Sequence, residues 1–205
     1  ALQARNPEIV YCSLSAYGAD GPIGGRPAYD HVVQAMSGIM ETTGTDEMGP
    51  VKVGAPYVDY ATGLNAAFAV MAALAERTRT GEGQVVDVSM LDTTLNLMAS
   101  NMSAVATTGN DLPKLGNEAA SGSPSSGCFT TGDGEHIMLA ANNERQFADL
   151  CKGLGHPEWS SDERWSGPTV RRQNQAELRD LMAEAFASDS AQAWEVRLVN
   201  CSVPA

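Results

Sequence analysis

The order of apolar patterns predicts an α/β protein with a largely parallel sheet, followed by a small α/β unit. Three observations carry this reading. A short apolar run at 9–14 and an alternating run at 85–90 are separated by two stretches of helical spacing, and parallel strands need such crossovers. The 205 residues, 43% of them apolar, suffice for one large domain or two small ones. The composition then changes: 107–127 is rich in Gly, Ser, Asn and Pro, and loops of that length are usually linkers or functional segments. The expected organisation is a part-domain at 1–106, a linker with a glycine/serine loop at 107–126, and a small α/β domain at 127–205, with the boundary near Leu115.

Asn6-Pro7 marks a turn before the first strand, whose unbroken apolar character predicts burial. Residues 17–27 are too rich in Gly and Pro for anything but loop. Val32, Val33, Met36, Ile39 and Met40 recur at helical spacing through 29–40, and a polar loop follows at 42–50. From Val58 the pattern is helical again, with Leu64, Ala67, Phe68, Met71, Ala72, Leu74 and Ala75 as the expected apolar set. Arg77, Arg79 and Gly81 suit its C-terminus. Gly81 and Gly83 form a G-x-G after a helix and before a strand, the reverse of a dinucleotide loop. Asp92 is the expected cap of a helix running to about Ala106, with Leu95, Leu97, Met98 and Met102 as core positions. Beyond the linker, Gly132-Asp133-Gly134 predicts a hairpin turn between strands at 128–131 and 135–140. Helices are expected at 144–154, 174–187 and 191–199, and 157–168 reads as loop.

A formal charge of −12 argues against a nucleic-acid or anionic-membrane surface. No apolar run reaches the ~18 residues needed to span a bilayer, and Ala1 to Arg5 carries no apolar h-region. Cys12, Cys128, Cys151 and Cys201 show neither C-x-x-C nor zinc spacing, so no metal site is expected. Scattered thiols fit a reducing cytoplasm, and Cys12, flanked by apolar residues, reads as a core position. His31, His136 and His156 share no ligand spacing and read as structural or surface residues.

The stretch of most chemical interest is 50–64. A Gly/Pro-broken approach leads into the long apolar helix, and Asp59 sits at the junction. A carboxylate is stable at the positive end of a helix, where backbone N–H groups lack partners. On local chemistry alone, capping is the commoner role for such a residue.

Seven segments, taken in order, change that reading. They are Asn6-Pro7-Glu8-Ile9-Val10-Tyr11, Arg26-Pro27-Ala28-Tyr29-Asp30, Gln34-Ala35-Met36-Ser37-Gly38, residues 51–64, Arg79-Thr80-Gly81-Glu82-Gly83-Gln84, Asp87-Val88-Ser89-Met90-Leu91-Asp92 and Gly132-Asp133-Gly134. Together they make the chain resemble the middle portion of the class III coenzyme A transferases, a family that includes formyl-CoA transferase, carnitine CoA-transferase and α-methylacyl-CoA racemase. The resemblance implies part of a Rossmann-like CoA-binding domain. It also implies transfer of CoA from an acyl-CoA to a carboxylic acid, with CoA as substrate and no permanently bound cofactor, in an interlocked homodimer of the complete protein. Asp59 matches the nucleophile, which forms an aspartyl-CoA thioester. Tyr29, Asp30 and Met90 fall at CoA- or substrate-binding positions, and Arg26 is a candidate partner for the anionic groups of CoA. Ser121, Gly122 and Ser123 occupy the place of a flexible glycine-rich loop, where Ala119 and Ala120 replace glycines of formyl-CoA transferase.

The racemase branch needs a histidine where this chain has Tyr29, and a phenol with a pKa near 10 is a poor acid–base group at neutral pH. Glu144 does match a racemase acid. The family's chains are about twice this length, so an incomplete catalytic unit is expected. Other readings are a non-catalytic fragment and a carboxylate-dependent hydrolase using Asp59 without CoA.

Overall fold

The computed structural model describes residues 2–205, which form two compact units, one ending at Lys114 and the other beginning at Leu115. In the first, a short helix α1 (Leu2–Arg5) precedes strand β1 (Tyr11–Ser15). β1 pairs in parallel with β2 (Val85–Ser89), Tyr11 opposite Val85 and Ser15 opposite Ser89. The crossover holds α2 (Asp30–Ser37), a 3-10 turn (Ile39–Thr42) and α3 (Tyr57–Thr80). After β2 come α4 (Met90–Leu97) and α5 (Ala99–Thr108).

The α/β class and the parallel pairing match the sequence, while the sheet among the described residues of this unit has two strands. β1 is less buried than its apolar run predicts: Tyr11 and Leu14 are exposed and Cys12 is half-buried. A parallel strand carries apolar residues on both faces because both are normally covered; here α3 and β2 cover only part of them.

The turn between α3 and β2 explains its two glycines. Gly81 ends α3 at φ 75°, and its N–H donates to the Arg77 carbonyl. At Gly83 the backbone passes so close to the segment entering β1 that a Cβ would lie 2.0 Å from the Ile9 carbonyl oxygen. The Gly83 N–H donates to the Pro7 carbonyl there, at 2.8 Å.

α3 buries Val58, Thr62, Ala66 and Ala73, a stripe at helical spacing that faces β1, β2, α2 and α4. This is not the expected apolar set: Leu64, Phe68 and Met71 lie on open surface, and small side chains occupy the inner stripe so that the helix sits close to its neighbours. α3, 24 residues long with an 18-residue window of mean hydropathy 1.3, is also long and apolar enough to cross a membrane by length and composition. Counting uninterrupted apolar residues misses this because Thr62, Gly63 and Asn65 break the run. It packs against β1, β2, α2 and α4 of its own unit, but only 22% of that apolar window is buried.

The second unit is built on the expected hairpin. β3 (Ser126–Thr130) and β4 (His136–Ala140) are antiparallel, with Cys128 opposite Met138. Helices α6 (Glu144–Gly153), α7 (Pro168–Gln173), α8 (Gln175–Phe186) and α9 (Ala191–Asn200) follow. Phe129, Ile137 and Leu139 of the hairpin meet Phe147, Leu150, Leu178, Met182, Phe186, Trp194 and Leu198 in one core. Residues 157–168 are not plain loop: a 3-10 turn (Pro157–Ser161) buries Trp159, and Trp165 is fully buried. α7 is absent from the sequence reading because its Pro168 sits at the first helical position, where a missing N–H costs nothing.

Candidate active site

α2 and α3 are joined by a polar device. Asp30, in the first turn of α2, is 7% exposed. Its Oδ2 accepts hydrogen bonds from the backbone N–H groups of Val58 (2.8 Å) and Asp59 (3.2 Å). Its Oδ1 accepts from Gln34 Nε2 at 2.5 Å, one helical turn later, and Gln34 Oε1 accepts from the Val53 N–H at 2.9 Å. The residue preceding α3 is Pro56, which supplies no side-chain cap. Asp30 therefore caps α3 from another helix, satisfying N–H groups that would otherwise be orphaned.

Asp59, for which local chemistry alone favours capping, does not cap α3; Asp30, expected at a CoA- or substrate-binding position, turns its carboxylate to the helix start. The Asp59 carboxylate accepts no hydrogen bond among the described residues and lies on the exposed side of the first turn. A similar correction applies at α4. Ser89 is its cap, its Oγ accepting from the Asp92 N–H at 3.0 Å and donating to Asp92 Oδ2 at 2.6 Å. The helix expected to reach Ala106 breaks at Met98 into α4 and α5.

Asp59 faces a cleft of about 310 Å³ lined by Leu14, Ser15, Ala16, Ala28, Thr62, Gly63 and Met90. Ser15 ends β1 and Met90 follows β2, so the cleft lies beyond the carboxyl ends of two parallel strands, where open α/β sheets place their ligands. A larger cleft of about 430 Å³ in the second unit is less suited to chemistry: Met138, Leu139, Ala140 and Pro204 line it, and its one carboxylate, Glu118, is 3.7 Å from Arg179.

Of the residues singled out from sequence, Asp59 and Met90 meet in the first cleft; Asp30, outside its lining, accepts from the Asp59 N–H. Tyr29 lies outside its lining: it precedes α2, is 78% exposed and stacks with His31, ring centroids 6.4 Å apart. Arg26 is exposed and forms no ion pair among the described residues. Ser121, Gly122 and Ser123 belong to the second unit. There the Ser121 Oγ donates to Asn142 Oδ1 (2.8 Å), its carbonyl accepts from Arg172 Nη2 (3.2 Å), and the Ser123 Oγ donates to the Ala141 carbonyl (3.2 Å). Gly122 holds φ 66°, a conformation that favours glycine. Glu144, the residue that kept a racemase in view, forms a two-pronged ion pair with buried Arg171 at 3.1 and 2.8 Å.

Sequence reasoning missed Gln34, Thr62 and Gly63. Each stands three or four residues from a residue already singled out, a spacing that sets helical neighbours on one face. It also missed Tyr57, whose buried hydroxyl has no partner among the described residues. Burial pushes that phenol's pKa up, and the negative charge of Asp30 adds to the effect.

A parallel α/β unit with an unengaged carboxylate at a helix start, facing a cleft beyond the strand ends, has the arrangement in which open α/β folds hold ligands. The chain belongs to CoA-transferase family III, which it matches over residues 1–205. It is 33% identical over 198 residues to succinyl-CoA:glutarate CoA-transferase of Mus musculus, covering 97% of this chain and 45% of that protein. It is 31% identical over 204 residues to succinyl-CoA–D-citramalate CoA-transferase of Chloroflexus aurantiacus, covering 100% of this chain and 50% of that protein. The crystal structure of a CaiB/BaiF family protein from Brucella suis superposes with a TM-score of 0.83 at 31% identity, over 99% of this chain and 53% of that one. The chain thus spans about half the length of the relatives it matches.

Proposed function

We propose that the protein containing this chain is an acyl-CoA:carboxylate CoA-transferase with Asp59 as its nucleophile. The observation that carries the reading is the division of labour at α3: Asp30 satisfies the helix start, which leaves the Asp59 carboxylate unengaged at the mouth of the cleft. Family membership and the names of the relatives support the reaction class.

The step sequence balances without cofactor or net proton transfer. An Asp59 oxygen attacks the thioester carbonyl carbon, the C–S bond breaks, and a mixed anhydride and CoA thiolate result. The thiolate attacks the Asp59 carbonyl carbon of that anhydride, releasing the donor carboxylate and leaving an aspartyl-CoA thioester. The acceptor carboxylate attacks this thioester, giving a second mixed anhydride and thiolate. Thiolate attack on the acceptor's acyl carbon yields the new acyl-CoA and frees Asp59. Covalent relay splits one difficult transfer into easier ones, and every intermediate must be kept from water. No cationic side chain lines the cleft within this unit, so the CoA phosphates need partners elsewhere in the protein. An interlocked homodimer of the complete protein belongs to the same proposal.

Asp59→Ala in the full-length protein, assayed with succinyl-CoA and glutarate, should lower kcat/KM by at least about 10³-fold, as expected for loss of a covalent nucleophile. Asp59→Glu should recover little of it, since the extra methylene displaces the attacking oxygen. An alanine variant within tenfold of the parent would overturn the assignment.

A further inference from the structure

Gly63 sits one helical turn after Asp59, on the same face of α3, and lines the same cleft. Nothing in the backbone requires glycine there, because the residue is helical and its φ is not positive. Nothing in the packing requires it either: a Cβ built on Gly63 would meet no atom within 4 Å. Glycine is the worst helix former after proline, so the position runs against helix propensity with no return inside the unit. Of the other residues that line the cleft, Ser15, Ala16 and Ala28 are small as well, while Leu14 and Met90 are large.

We infer that Gly63 is a specificity-determining position, kept without a side chain so that the thioester end of an acyl-CoA can lie against α3 within attacking distance of Asp59. This rests on the reading of Asp59 as nucleophile. The reacting carbon must come within about 3–3.5 Å of the carboxylate oxygen, and the sulfur and acyl carbon flanking it need room on both sides. On the C-terminal side, along α3, Gly63 provides that room. A methyl group there would intrude on the thioester, and a larger side chain would fill the space.

The test compares Gly63→Ala and Gly63→Leu with the parent in the full-length protein, using succinyl-CoA as donor and glutarate as acceptor, with melting temperature measured alongside. The inference expects kcat/KM for succinyl-CoA to fall about tenfold for alanine and more than about 100-fold for leucine, losses typical of displaced reacting groups. Gly63→Ala should melt no lower than the parent, because alanine favours the helix. Parent-like kcat/KM in both variants would overturn the inference. So would a lower melting temperature for Gly63→Ala, since the glycine would then be serving close packing with protein outside the described chain. The parent reading fails separately: an active Asp59→Ala removes the nucleophile, whereas an inactive Asp59→Ala beside a fully active Gly63→Leu removes only this inference.

Discussion

The two units of the chain use their apolar residues in opposite ways. In the second, Trp165, Trp194, Phe147 and Phe186 are fully buried, and Phe186 packs edge-on against Trp194 with centroids 5.2 Å apart. In the first, the buried cluster around the site consists of Ala16, Val33 and Val58, while Tyr60, Leu64, Phe68 and Met71 of α3 stand between 66% and 76% exposed. In the unit with the finished core, Glu118 of the larger cleft is 3.7 Å from Arg179, and Glu184, unpaired among the described residues, lines a smaller cleft away from any parallel strand end. The unit with the candidate nucleophile is held near the site by polar contacts and leaves one face of its longest helix uncovered. An apolar face of that extent marks an interaction surface. The candidate site thus sits where this chain is least self-sufficient, which accords with the proposal that further protein completes it.

Separating the units should break the comparison most visibly. Residues 115–205 alone should fold cooperatively, with blue-shifted tryptophan emission and a single unfolding transition. Residues 1–114 alone should self-associate in gel filtration and show no sharp melt, because the exposed α3 stripe has nothing to cover it. A monomeric, cooperatively melting first unit would show that its small core suffices.

A smaller effect is expected at the cap that stands in for hydrophobic packing near the site. Asp30→Ala orphans the Val58 and Asp59 N–H groups and frees Gln34, so stability should fall by about 1–2 kcal/mol, the range for loss of a good cap. Amide exchange at Val58 and Asp59 should rise more than at Arg77, near the far end of the helix. Unchanged exchange at those two amides would mean that the cap contributes nothing to the site's geometry.

The smallest effect lies in the dense core. Burial pushes the Cys151 thiol up to about 12, from an ordinary value near 8.5. The unfolded chain then releases this proton before the folded one does. The thiol's contribution to stability is therefore whole below about pH 8.5 and declines as pH rises toward 12. Cys151→Ala should flatten that part of the pH–stability curve, and native Cys151 should resist a thiol reagent at pH 8 while half-buried Cys12 reacts. Rapid labelling of Cys151 in the folded protein would contradict its place in the core.

Much of this was legible in the sequence because it is local. The strands, the hairpin around Gly132-Asp133-Gly134 and the span of α3 follow from periodicity and turn residues. What was not legible is long-range. Capping of α3 by Asp30 joins residues 28 apart, and no local rule separates a carboxylate that caps its own helix from one relieved of that task by another. The inner stripe of α3 was misread for a related reason. Leu64, Phe68 and Met71 are large and apolar, but the face that meets the sheet is chosen by closeness of approach and so falls to Val58, Thr62, Ala66 and Ala73. At α4 the serine one residue before the helix outcompetes Asp92 because its hydroxyl can both accept and donate.

The central claim is that Asp59 becomes covalently acylated while Asp30, beside it, keeps to the helix cap. Full-length protein turning over succinyl-CoA, quenched with hydroxylamine and digested, tests this directly by peptide mass. The account predicts a hydroxamate on Asp59, absent when succinyl-CoA is omitted, and an unmodified Asp30 in the same digest. An unlabelled Asp59 peptide from enzyme caught in turnover, or a label on Asp30 instead, would contradict it.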